Sequence, residues 1–238
     1  MTPGTTAILR VARHGDRYKC AVNVDAYFDD LYRSHDRYWW RGDERYSAAA
    51  DAYPTSLLTQ QTLRLIEGRP PGRALDLGAG EGTDSIRLAL LGYEVDAVEV
   101  SSVAAGKICS FARAAGARVN VIVADAGTYR PASRYDVVIC NGVLHYIEDK
   151  EPVLRAMQEA TADGGLNVLS LWSTYTPVPG CHQRVPVSCD DENGLVVKAY
   201  QGWRKELLYM ERDKPEAAHG EMPPHRHSHI KMIARKAP

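Results

Sequence analysis

The 238-residue sequence has no long apolar run, no excess of charge of one sign, no internal repeat and no low-complexity tract. Each absence narrows the field. Without ~18–20 consecutive apolar residues, no stretch reads as a membrane span. The start, MTPGTTAILRVARHGDR, lacks an uninterrupted apolar core, so no secretory signal is expected. A formal net charge of −1 leaves no basic excess for nucleic acid and no acidic excess for a disordered tail. Cysteine is scarce. Cys20, Cys109, Cys140, Cys181 and Cys189 are scattered and odd in number, which argues against a disulfide framework and for a reducing cytoplasm. No CxxC pair supports a metal site built from Cys181, His182, Cys189 or His219, and no metal is expected. What remains is an ordinary soluble composition, 45% hydrophobic and 25% charged, long enough for one domain with a substantial core.

The chain divides near residue 54. Residues 1–54 contain YFDDLYRSHDRYWWRGDERYS, dense in aromatics and charge and without a clean period. They read as an arm of a short helix and loops, docked on a domain of residues 55–238 as packing or as a lid. The Trp39-Trp40 doublet is apolar area that something must cover. From Thr55 the period turns helical, with Leu57, Leu58, Thr62, Leu65 and Ile66 on one face, until Gly68 and Pro70-Pro71-Gly72 end it. Strands are then expected at 73–77, 94–100, 118–124, 135–140 and 166–172, with helices at 83–91, 103–115 and 151–162. Alternation of this kind means an α/β fold with a parallel sheet covered on both faces. Two more strands, 204–211 and 227–234, follow with no helix between them, so the sheet should finish antiparallel.

The informative stretch is ALDLGAGEG, Ala74 to Gly82. Its glycines, Gly78, Gly80 and Gly82, are spaced GxGxG, not as the GxGxxG of dinucleotide sites. It also carries Asp76 and Glu81, and a carboxylate repels diphosphate. S-adenosylmethionine (SAM) has no phosphate. It offers an ammonium and a sulfonium for an acid, and a carboxylate for a helix N-terminus. Glu99 ends the second strand, where a ribose-binding acid belongs. Asp125 follows the third strand and suits an adenine amino group. Gly78, Ala79, Gly80, Gly82, Val100, Ala126 and Asn141 complete the expected cofactor contacts.

These segments resemble the class I SAM-dependent methyltransferases. LDLGAGEG, VEVS with Glu99, VADA with Asp125, YDVVICNGVLHYI and the Gly164-Gly165 pair before a strand match that family's motifs in order. The resemblance implies a Rossmann-like three-layer sandwich, SAM as cofactor and methyl transfer as activity. A second, weaker resemblance, to tellurite-resistance methyltransferases, lies in Gly202-Trp203, Gly220-Glu221 and His225-Arg226, although Pro223-Pro224 lengthens the last step.

Methyl transfer asks mainly for alignment and exclusion of water, with a base where the acceptor carries a proton. HGEMPPHRHSH offers candidates. His225, His227 and His229 share a strand face by alternation and Arg226 takes the other, although a solvated strand face explains them as well. His145 follows the fourth strand and fits the pocket wall. The expected catalytic set is therefore His225, Arg226, His227 and His145. Tyr38, Trp39, Trp40 and Arg41 are the expected acceptor contacts. Cys140 and Cys109 are expected in the core. The acceptor reads as an amine, hydroxyl or carboxylate of a small molecule. A metalloid oxyanion, a peptide, a non-catalytic SAM-binding module and a dehydrogenase using NAD are the alternatives. Neither nucleic acid nor membrane is an expected partner.

Overall fold

A computed structural model of the protein describes residues 23–38, 56–182, 184–218 and 222–238. The chain enters with helix α1 (Val24–Arg33) and, further on, α2 (Leu57–Ile66), whose N-cap Ser56 accepts a hydrogen bond from the Thr59 amide. The apolar face read from the sequence buries Leu58, Thr62 and Ile66. Strands and helices then alternate: β1 (Arg73–Leu77), α3 (Thr83–Leu90), β2 (Glu94–Glu99), α4 (Ser102–Ala115), β3 (Val119–Val123) and β4 (Tyr135–Asn141). A 3₁₀ turn at Leu144–Tyr146, α5 (Glu151–Ala160), β5 (Thr161–Trp172), a second 3₁₀ turn at Gly180–His182 and α6 (Leu195–Ala199) follow. The hairpin β6 (Arg204–Glu216) and β7 (His225–Arg235) completes the sheet.

The seven strands order β3-β2-β1-β4-β5-β7-β6. The first five are parallel, and β7 pairs antiparallel with both β5 and β6. The α/β class and the antiparallel finish are as expected. Strands buried on both faces account for the near-continuous apolar runs of β4 and β5. One core cluster packs the sheet against α5 and α6 through Leu154, Met157 and Val196. The other packs it against α2 and α3 through Leu58, Ile66 and Leu88.

Three departures have local causes. β5 begins at Thr161 rather than 166, because Thr161 already pairs with Tyr135 and the Asp163-Gly164-Gly165 step is a bulge within the strand. The hairpin strands run past their expected limits, with register shifts between Lys205 and Leu207 and between Glu211 and Lys214. Cys109, expected in the core, is exposed on α4, whereas Cys140 is buried as expected. A small side chain at a helix position carries no sign of which face it takes.

Sheet order reverses at β1, which has β2 on one side and β4 on the other. Carboxyl-terminal strand ends that diverge there open a crevice, and ligands of doubly wound sheets bind in it. The cavity described next lies at that edge.

Candidate active site

A cavity of about 1100 Å³ opens over the carboxyl ends of β1, β2 and β4 and reaches across to β7. Ligand pockets usually span ~300–1,000 Å³, so there is space for more than one small molecule. The two ends of the cavity differ in chemistry.

The first end is the glycine turn. Gly78, Gly80 and Gly82 all have positive φ, and a Cβ on Gly78 would stand 2.3 Å from Val143 Cγ2. No side chain is tolerated there, so the backbone itself forms the floor. The turn is pinned by the Gly78 and Ala79 amides, which donate to the Val98 carbonyl at 2.8 and 3.0 Å. Asp76 is buried at the end of β1 and accepts from the Ser85 hydroxyl at 2.6 Å. Burial, and then the nearby Asp84 carboxylate, push its pKa up to about 7, against the pull of the Ser85 hydrogen bond. Asp84 accepts from Thr59 Oγ1 at 2.6 Å and lies 3.4 Å from Asn141 Nδ2, and burial raises its pKa also. Two buried carboxyl groups thus lie close together, with the Arg87 guanidinium acting against burial at Asp84. Glu99 is buried as well. Its two oxygens accept from the Gly80 amide at 2.8 Å and the Ser101 amide at 3.0 Å, yet desolvation still raises its pKa. Asp125 is exposed at the rim and closes its own turn by accepting from the Gly127 amide at 2.8 Å.

The second acid of the glycine turn does something else. Glu81 is fully buried and paired with Lys107 Nζ on α4 at 2.9 Å. Its carboxylate also accepts from the Tyr38 amide at 3.0 and 2.9 Å. Lys107 donates in turn to the His35 carbonyl. Asp29 of α1 caps α4, accepting from Ser101 Oγ at 2.6 Å and the Val103 amide at 3.2 Å. These contacts lay α1 along the cavity, with Phe28 edge-on to Tyr146 at 5.2 Å.

The far end is a wall of imidazoles around Trp172, the last residue of β5. His145 and His227 lie nearly parallel to its indole, at centroid distances of 4.0 and 4.2 Å. Two rings stacked so closely on one face would overlap each other, so the indole is held between them. His182 Nε2 lies 3.1 Å from His225 Nε2 and 3.1 Å from His227 Nε2. His229 Nδ1 approaches Glu211 at 3.3 Å, and Glu211 also takes the Lys231 ammonium at 2.7 Å. Burial holds the pKa values of His145 and His229 below the usual imidazole range. His145 is 2% exposed and its Nδ1 has no hydrogen-bond partner among the described residues.

The cofactor-side residues expected from the sequence come together here: Asp76, Gly78, Ala79, Gly80, Glu99, Val100, Asp125, Ala126 and Asn141 all line the cavity. Gly82 sits behind them as the N-cap of α3, packed on Ile108. On the acceptor side His145, His227 and Tyr38 line it too. His225 stands behind His182 and His227 and does not line it. Arg226 is turned the other way by strand alternation and pairs with Asp213 at 2.8 Å on the exposed face, so it takes no part in the pocket. The histidine face is not solvated: the His225, His229 and Lys231 side chains keep 4, 15 and 14% of their exposure. Trp39, Trp40 and Arg41 lie outside the described residues, as do His219 and Gly220-Glu221. Sequence reasoning missed Asp84, Phe28, Trp172 and His182 as cavity residues. Only Asp84 carried a signal, two residues beyond the glycine turn.

A family model described as a methyltransferase domain matches residues 50–236. The ubiquinone biosynthesis O-methyltransferase of Burkholderia vietnamiensis is 29% identical over 129 residues, 53% of this chain and 54% of that protein. The chain thus aligns with about half the length of the curated relatives it matches. In fold, the chain is similar to TehB from Haemophilus influenzae, with a TM-score of 0.66 at 20% identity over 78% of this chain and 63% of that one. It is also similar to the magnesium protoporphyrin IX methyltransferase of Synechocystis PCC 6803, solved with bound SAM. There the TM-score is 0.59 at 18% identity, over 94% of this chain and all of that one (100%).

Proposed function

The chain belongs to the methyltransferase domain family, and from that premise we propose that it transfers a methyl group from SAM to a hydroxyl or amine of a small molecule. One observation carries the reading. A single cavity runs from buried carboxyl groups at a glycine turn to a buried imidazole whose Nδ1 has no partner among the described residues.

The residues fit SAM. Gly78, Ala79 and Gly80 line the cavity, so a flat or extended ligand can lie against the turn. Asp76, with Asp84 beside it, supplies negative charge that burial penalises and that a bound cation would favour. Glu99 has both oxygens fixed by backbone amides, and a carboxylate retains acceptor capacity for ribose hydroxyls after two such bonds. Asp125 and Ala126 flank the adenine end, and Asn141 the methionine end. Bound there, SAM supplies an electrophilic methyl group on a positively charged sulfur.

The chain's own work is then placement. His145 stays neutral near pH 7, and a neutral imidazole on the cavity wall has one N–H and one lone pair with which to hold the acceptor and aim the nucleophile. Phe28 and Tyr146 exclude water from the path of transfer. The arm of residues 1–54 acts as a lid, a reading supported by the Glu81–Tyr38 and Asp29–Ser101 ties. Work in a reducing compartment such as the cytoplasm is part of the same proposal, supported by four free cysteines among the described residues.

Calorimetry with SAM, followed by exposure of the complex to small-molecule extracts with a labelled methyl group, tests the reading. SAM should bind one to one and label should move into a small molecule. In His145→Ala, SAM should bind as before while transfer falls ten- to a hundredfold. Absence of SAM binding, or label that follows only macromolecules, would overturn it.

A further inference from the structure

His182, His225 and His227 come from a 3₁₀ turn and from alternate positions of β7, and their rings form a nearly regular triangle. All three centroid separations are 4.7 Å, with interplanar angles of 73, 57 and 77°. His182 Nε2 lies 3.1 Å from the Nε2 of each of the other two. We propose that these three nitrogens are the ligands of a divalent transition metal of the zinc class, bound at the acceptor wall of the cavity.

The proton count supports this. A neutral imidazole has one N–H and one lone pair. His225 Nδ1 lies 2.7 Å from the Pro223 carbonyl, which only accepts, so the His225 proton sits on Nδ1 and its Nε2 presents a lone pair. His182 Nε2 faces that lone pair and His227 Nε2 at once. In the neutral cluster one N–H on His182 cannot point along both contacts, whereas a cation placed there is met by the His225 lone pair and by each further Nε2 that presents one. The outward Nδ1–H of His225 on a backbone carbonyl is also the tie that orients metal-bound histidines.

Tetrahedral zinc with Zn–N of about 2.0–2.1 Å sets its ligand atoms about 3.3–3.4 Å apart, a few tenths of an ångström from the two separations at His182. Further donors stand close by. Cys181 groups with His182 and His225, and Glu216 with His225 and His227, each set of ligand atoms lying within 4.8 Å of one another. Glu216 is paired across the hairpin with His225, and its carboxylate approaches His225 Nε2 at 3.5 Å. Three nitrogens with a softer or an anionic fourth donor suit zinc or cobalt, not magnesium or calcium, which prefer all-oxygen shells. His182, His227 and Glu216 also line the cavity, so the ion faces the space assigned to the acceptor.

The site stands or falls independently of methyl transfer, and its test needs neither SAM nor an acceptor. The full chain, freed of any affinity tag and stripped with chelator, is titrated with cobalt(II) alone and followed by visible absorption, with zinc competition by calorimetry. The expected result is one ion per chain, with the intense bands of tetrahedral cobalt displaced by one equivalent of zinc. His225→Gln and, separately, His227→Gln should weaken cobalt binding at least a hundredfold, while His35→Gln, on the arm, leaves it unchanged. Circular dichroism of each variant separates loss of the site from loss of the fold, and His182→Gln serves should either β7 variant unfold. Absence of stoichiometric binding, the weak bands of octahedral aqueous cobalt, or binding indifferent to all three substitutions would overturn the proposal.

Discussion

The two ends of the cavity are built in opposite ways. The carboxylate end comes from nearby sequence: Asp76, the glycine turn and Asp84 fall within nine residues, and Glu99 follows on the adjacent strand. The imidazole end is collected from the 3₁₀ turn after β4, the end of β5, the turn at Gly180–His182 and β7. A ligand that a whole family shares is met by a compact local motif. The imidazole end is brought together only by the completed sheet. Damage to one end should therefore spare the other.

The largest expected effect is at Trp172. Replacing a buried tryptophan by alanine usually costs ~3–5 kcal/mol, and here it also frees the two imidazoles stacked on the indole. Urea unfolding should show a loss of that size in Trp172→Ala. Where the variant remains folded, its SAM affinity should stay within about threefold. A matching collapse of SAM binding would mean that the two ends are one mechanical unit.

Asp76→Asn is the converse test. A hydrogen bond to a charged group is worth ~1.5–3 kcal/mol, so SAM should bind roughly ten- to a hundredfold more weakly, with cobalt binding at the far end unchanged. The pH dependence follows from the raised pKa. With a folded-state value of about 7, Asp76 gains its full charge only as pH rises through neutrality. SAM affinity should therefore increase from pH 6 toward 7.5, until the ligand's own α-amino group begins to lose its proton near about 7.7–8.0. In Asp76→Asn the rising limb should disappear. The same shift makes the SAM-free protein lose stability as pH climbs from about 4 to 7, because over that interval the unfolded chain has released a proton that the folded chain still holds.

Asp29→Ala should be milder. Losing a helix cap costs about 1 kcal/mol, and this cap also ties α1 to α4. Faster proteolysis in α1, with the unfolding midpoint only slightly lowered, is the expected outcome. Asp29 is held below the usual carboxylate range, chiefly by the Ser101 hydroxyl. Its contribution is present above about pH 4 and lost as pH falls through the lowered value. Smallest of all is Arg226→Ala. Its pair with Asp213 is half exposed on both sides, and such pairs contribute ~0–1 kcal/mol. Turnover and metal binding should both be unaltered, and a large loss of either would put Arg226 back among the functional residues.

The contrast between the ends also explains what could be read beforehand. The sheet was legible because each parallel strand is a short apolar run closed by turn residues, and β1 begins and ends where expected. The position of Asp76, Glu99 and Asp125 at the crevice was legible because a strand end places its residue there whatever the rest of the chain does. The bulged start of β5 was not, because its pairing with Tyr135 is a property of the neighbouring strand. Trp172 was not foreseen, and His182, weighed only as a metal ligand and set aside, was not placed in the cavity, for a similar reason. Neither has a local companion, and their partners at residues 145, 225 and 227 are neighbours only in space. Alternation did place His225, His227 and His229 on one face, but whether that face met water or a tryptophan depended on β7 lying inside the sheet, between β5 and β6.

Glu81 has the widest consequence. A single carboxylate fastens the amide of Tyr38 and the ammonium of Lys107, one residue past the glycine whose amide holds Glu99. On the proposed lid role, whatever settles on the turn would touch the atoms that hold Tyr38, and the nucleoside guest would board before its partner and leave after it.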